Sequence, residues 1–145
     1  MSGGERPPIG ERTLKLVLGF VAAYHVATGL LALVAPDTFF DQIGHYGIEN
    51  SHYIGDVGAF MLAFGVAVAI SVVRPAWRPP ILWLGALWYG FHAINHAFDT
   101  GEAKSEGRGW GDTLAIAFGG VASAWLARVS ERLNTGSVSD EEVRG

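Results

Sequence analysis

The sequence contains no cysteine. Disulfides, thiolate metal centres and thiol redox chemistry are therefore excluded. Charge is scarce as well. Asp, Glu, Lys and Arg make up 17% of the residues, against about 25% in an average soluble domain. The formal net charge is −4 and no basic block occurs, which argues against nucleic acid as a partner. There is no glycine-rich phosphate loop, because the glycines fall within apolar runs or single turns. Val57 to Val73 has no charged residue on any face. An amphipathic helix of a soluble bundle would carry a polar face along its whole length.

What remains is long apolar runs in a chain of 145 residues, room for one domain. A bilayer core about 30 Å thick needs roughly 20 apolar residues in helical form. Four runs meet that need, at about 13–35, 57–74, 79–98 and 112–130. The expected architecture is all-α: an integral membrane four-helix bundle over 13–132, with a flexible tail at 1–12 and a disordered one at 133–145. The first run is longer than the apolar part of a signal peptide and no A-x-A site follows, so it reads as a retained span. Orientation follows from the basic residues. With the N-terminus inside, Arg6, Arg12, Lys15, Arg74, Arg78, Arg128, Arg132 and Arg144 are cytoplasmic, and only Lys104 and Arg108 are exported. Both tails are thus expected in the cytoplasm of a multi-pass protein of the cell (plasma) membrane. The first connector, Asp37 to Asp56, has four carboxylates and no lysine or arginine, as suits an exported loop.

Small residues recur at four-residue spacing: Gly19, Ala23 and Ala27 in the first span, Ala59, Ala63, Ala67 and Ser71 in the second, and Ala115, Gly119, Ser123 and Ala127 in the fourth. Such stripes allow close backbone approach within a bundle or against a lateral membrane-protein partner. In the first connector, Asp37 reads as an N-cap and Gly44 as a stop for a short helix. Phe39, Phe40, Ile43 and Tyr46 would seat it in the outer membrane interface. Trp110 and Trp125 suit interfacial anchoring.

The layout resembles the DoxX-like family of small four-helix membrane proteins. The features that carry the likeness are a basic start, a glycine-bearing first span, the turn APDTFFDQIG, GDVGAFMLAFG opening the second span, and FHAINHAFD closing the third. The resemblance implies a compact four-helix bundle. One namesake of the family is a subunit of a thiosulfate–quinone oxidoreductase. No catalytic residue is carried over from it.

Ionisable groups at membrane depth are costly and mark candidate sites. His92, Asn95, His96 and Asp99 fall at i, i+3, i+4 and i+7, on one face of the third span. His52 and Asp56 open the second span at i and i+4, and Asp112 opens the fourth. Three explanations compete. The first is hydrogen bonding among these groups and with the loop, which fixes helix register. A divalent transition metal is the second, held by His52, Asp56, His92, His96 and Asp99, since His-x-x-x-His presents two imidazoles to one ion. The glutamate of a zinc-protease motif is absent, because Ala93 follows His92. Haem or quinone is the third. His25 lies 12 residues beyond Thr13 and His92 12 beyond Pro80, so the two would face each other as cofactor ligands.

Overall fold

The computed structural model describes residues 8–142, with side chains as far as residue 135. The expected tails at 1–12 and 133–145 therefore lie partly outside the described residues. The fold is all-helical: α1 (Glu11–Val34), α2 (Pro36–Gln42), α3 (Ser51–Val73), α4 (Arg78–Phe98) and α5 (Glu106–Glu142). Two 3-10 turns, at Pro75–Trp77 and Thr100–Glu102, join the long helices. α1, α3 and the Glu106–Thr135 part of α5 are long and apolar enough to cross a membrane. This marks the chain as a membrane protein. α4 is not in that group, since His92, Asn95, His96 and two prolines lower its hydropathy.

Helix boundaries follow local chemistry. Pro36 takes the first position of α2, where its missing N–H costs nothing, so this helix starts one residue before Asp37 would have capped it. The Asn50 side chain accepts from the backbone N–H of His52 and Tyr53 and starts α3 at Ser51, six residues ahead of the apolar run. Pro79 and Pro80 fill the first turn of α4. α5 begins at Glu106, ahead of the expected span, and continues as helix to Glu142, through most of the segment expected to be disordered.

The long helices associate as two pairs, α1 with α3 and α4 with α5. The first pair touches backbone to backbone. A β-carbon at Gly29 would lie 2.6 Å from the Leu62 nitrogen and 2.8 Å from the Gly58 carbonyl oxygen, so only glycine fits there. The small-residue stripes expected in the first two spans are therefore misplaced. Gly19, Ala23, Ala27, Ala59 and Ala63 are exposed, while Ala22, Gly29, Ala32, Gly58 and Gly65 make the contact. The contacting residues recur at spacings of seven and three rather than four, with glycine setting the closest approach; of the expected second stripe, Ala67 is half-buried and Ser71 buried. In the fourth span Ser123 and Gly119 do face α4: a β-carbon at Gly85 would lie 3.4 Å from the Ser123 hydroxyl.

Between the pairs, larger side chains meet. Leu14, Leu18, Phe64, Val68, Leu82 and Leu126 form a core toward the α3–α4 turn. A smaller cluster of Ala32, Phe39 and Met61 lies under α2. Outside, Phe20, Phe91, Phe118 and Val121 are exposed, as lipid contact requires.

Candidate functional site

At the α3–α4 turn the one buried charge among the described residues, Arg78, is fully partnered. Arg78 is 1% exposed. Its two terminal nitrogens donate to the two Glu11 carboxylate oxygens at 2.8 Å each, its Nε donates to the Ser71 carbonyl at 3.0 Å, and one terminal nitrogen also reaches the Val72 carbonyl at 3.1 Å. This fork ties the start of α1 to the end of α3 and the start of α4. The bidentate geometry favours arginine over lysine. α4 and α5 are tied nearby by the Trp83 indole, which donates to Glu131 at 2.8 Å, with Arg128 5.3 Å above the same ring.

The α2 end is built differently. Here the two pairs part around a cavity of about 480 Å³, within the range of small-molecule sites, about 300–1,000 Å³. One wall is apolar and aromatic: Phe39 and Phe40 from α2, Ile54, Val57 and Met61 from α3, and Trp88 from α4. The facing wall is polar, with His92, Asn95, His96 and Asp99 of α4, Asp112 of α5 and Tyr46 of the first connector. A crevice between α3 and α4, lined by Asp56, Val57, Phe60, Trp88 and His92, adjoins it on the flank.

At the floor, His25 Nδ1 lies 2.7 Å from the Val21 carbonyl and Nε2 lies 2.6 Å from the Tyr89 hydroxyl. A carbonyl only accepts, so Nδ1 carries the proton and the Tyr89 hydroxyl donates to Nε2. Both nitrogens are thereby occupied. His25 does not meet His92. It bonds the long tyrosine three residues earlier on α4, and Trp88 touches both histidine rings, at 5.8 Å and 6.2 Å between centroids. The two residues expected to pair as cofactor ligands, His25 and His92, thus line one cavity, with His25 hydrogen-bonded to Tyr89.

On the polar wall, His92 and His96 do adjoin, with ring centroids 4.6 Å apart. Tyr46 stands edge-on to His96 at 4.4 Å and donates to Asp112 at 3.0 Å, with Arg108 3.9 Å from the same carboxylate oxygen. Burial, with Asp112 beside it, pushes the Tyr46 phenol up to about 12. Asn95 donates to Asp99 at 3.1 Å. His52 and Asp56 pair loosely with each other at 3.8 Å, with side chains 82% and 69% exposed. Among the described residues, no group of three or more histidine, aspartate or glutamate side chains is placed to hold a metal ion. The five-residue shell of His52, Asp56, His92, His96 and Asp99 is not assembled: His52 and Asp56 stand exposed on the first turns of α3, and only Asp56 shares the flank crevice with His92.

Three features escaped sequence reasoning. Arg78 read only as a basic residue of an inner turn, and nothing local marked its pairing with Glu11, 67 residues away. Tyr46 read as an interface anchor, although its partner Asp112 lies 66 residues on. Tyr89 had a signal, being one turn from His92 on the polar face. Compared with family models, curated proteins and solved structures, the chain has no significant match.

Proposed function

We propose that the chain is a four-span protein of the cell membrane with both termini in the cytoplasm, built like the DoxX-like proteins. It acts as a binding or accessory subunit whose cavity opens outward and takes a small amphipathic molecule. α4 is the fourth span, its polar wall turned to the cavity rather than to lipid. The observation that carries this reading is the cavity under α2, one wall aromatic and the other lined by His, Asn, Asp and Tyr side chains. A molecule with an apolar body and a polar head matches both walls. The outward direction rests on the basic bias toward the α3–α4 turn.

The cysteine-free sequence makes the test direct. A single cysteine at Ser51 should react with a membrane-impermeant thiol reagent in intact cells, and one at Ala76 only after permeabilisation. The reverse pattern overturns the topology. Native mass spectrometry of protein in mild detergent should find an organic molecule that Ala115→Trp, which fills the cavity, excludes. The runner-up, a membrane oxidoreductase component holding metal, haem or quinone, rests on the adjacent His92 and His96 rings. Stoichiometric metal or a Soret band in the same preparation would favour it.

A further inference from the structure

Resting on the cavity reading above, we infer that the occupant is an organic cation: an apolar body bearing a protonated amine or quaternary ammonium group. The argument begins with Asp99. It lines the cavity and accepts a hydrogen bond from neutral Asn95. Among the described residues it has no ion-pair partner. Asp112, by contrast, has Tyr46 and Arg108. Asp99 is half-buried on the cavity wall, and a cation bound in the cavity would give this carboxylate the charge partner that the chain does not.

Two further observations point the same way. Tyr46, Trp88 and Tyr89 line the same cavity, and the faces of such rings attract ammonium groups within about 6 Å. The surrounding field is also negative. Eight carboxylates between Asp37 and Asp112 lie at this end, against Lys104 and Arg108 alone. Lys104 is turned onto the Asp41 carbonyl. Glu49 holds its proton more tightly than an ordinary carboxyl because it hydrogen-bonds Asp37, with Asp41 adding to the effect. A cleft of one sign concentrates ligands of the other. An anionic head would meet repulsion at the same wall.

The test compares three probes of one shape on the protein in nanodiscs: benzyltrimethylammonium, its uncharged carbon isostere neopentylbenzene, and phenylmethanesulfonate. Saturable binding of the cation is expected, with the isostere and the anion weaker by about tenfold or more. Asp99→Asn should weaken the cation by about tenfold and leave the isostere unchanged. Binding in both phosphatidylglycerol and phosphatidylcholine discs would identify a free cation. Binding only in phosphatidylglycerol would identify a choline headgroup as the competing occupant of the same site. Equal affinity for cation and isostere, or no loss in Asp99→Asn, overturns the inference and leaves the cavity reading standing. If no probe binds saturably, and Ala115→Trp behaves like the parent, the cavity reading falls with it.

Discussion

The two ends of the bundle solve the same problem, a charged side chain among apolar helices, in opposite ways. At the α3–α4 turn Arg78 is fully buried and donates four hydrogen bonds, two to Glu11 and two to backbone carbonyls. Nothing further is needed there. At the α2 end Asp99 keeps one hydrogen bond from a neutral amide and faces a cavity. The closed end fixes the arrangement of α1, α3 and α4. The open end leaves a carboxylate and an aromatic wall for something outside the chain. Burial of charge by itself thus distinguishes nothing, and what separates a fastening from a site is whether the charge is already answered.

The difference can be attacked by substitution, and the largest effect is expected where backbones touch. Gly29→Val would place methyl groups into the backbone of α3, so a loss of about 3 kcal/mol or more is expected in denaturant unfolding. Ala63→Leu, one of the exposed stripe positions, should melt like the parent. Next comes a matched pair of carboxylate-to-amide changes. Glu11→Gln strips a buried guanidinium of its counter-charge and should cost about 2 kcal/mol, below the usual range for a buried pair because Glu11 is half-exposed. Asp99→Asn removes a charge with no cationic partner and should change stability by less than about 0.5 kcal/mol in either direction. Equal losses in the two variants would erase the distinction between the ends.

The smallest effect concerns His45. It is buried, and both ring nitrogens lack a hydrogen-bond partner among the described residues. Burial, helped by Arg108 and Lys104 and opposed by Asp112, holds its imidazole below the ordinary range. A depressed folded value means that the unfolded chain binds more protons. Its contribution to stability is therefore complete above the unfolded value of about 6.5 and is lost as pH falls toward the folded one. His45→Phe should remove that slope from the melting temperature below about pH 6.5 and raise stability slightly, since no buried nitrogen is then left unpaired.

The helices were legible because a charge-free run such as Val57 to Val73 has one physical interpretation, and the α4 polar face because i, i+3, i+4, i+7 spacing is local. Helix ends were less so. The Asn50 cap starts α3 at Ser51, which sets His52 and Asp56 on its exposed first turns, and of the two only Asp56 shares a crevice with His92. The facing of α1 and α3 was not legible from four-residue spacing, because Ala63 lies on such a series and is exposed while Gly58, flanked at four residues by Ile54 and Leu62, makes the contact. Long-range pairs such as Glu11–Arg78 and Tyr46–Asp112 leave no trace in a single sequence. Depth counting placed His25 level with His92, but the length and donor of the Tyr89 side chain decided which residue His25 meets.

Whether one end is open and the other closed is read most directly from thiol accessibility on this cysteine-free chain. Single cysteines at Ile116, on the cavity wall, and at Val68, 0% exposed in the core, would be treated from outside intact cells with a small membrane-impermeant thiosulfonate. Ile116→Cys should react within minutes and be protected by a bound organic cation, while Val68→Cys stays unmodified until the protein is unfolded. Equal protection of both positions, or modification of Ile116→Cys only by a lipid-soluble reagent, would contradict an outward-opening site at the α2 end.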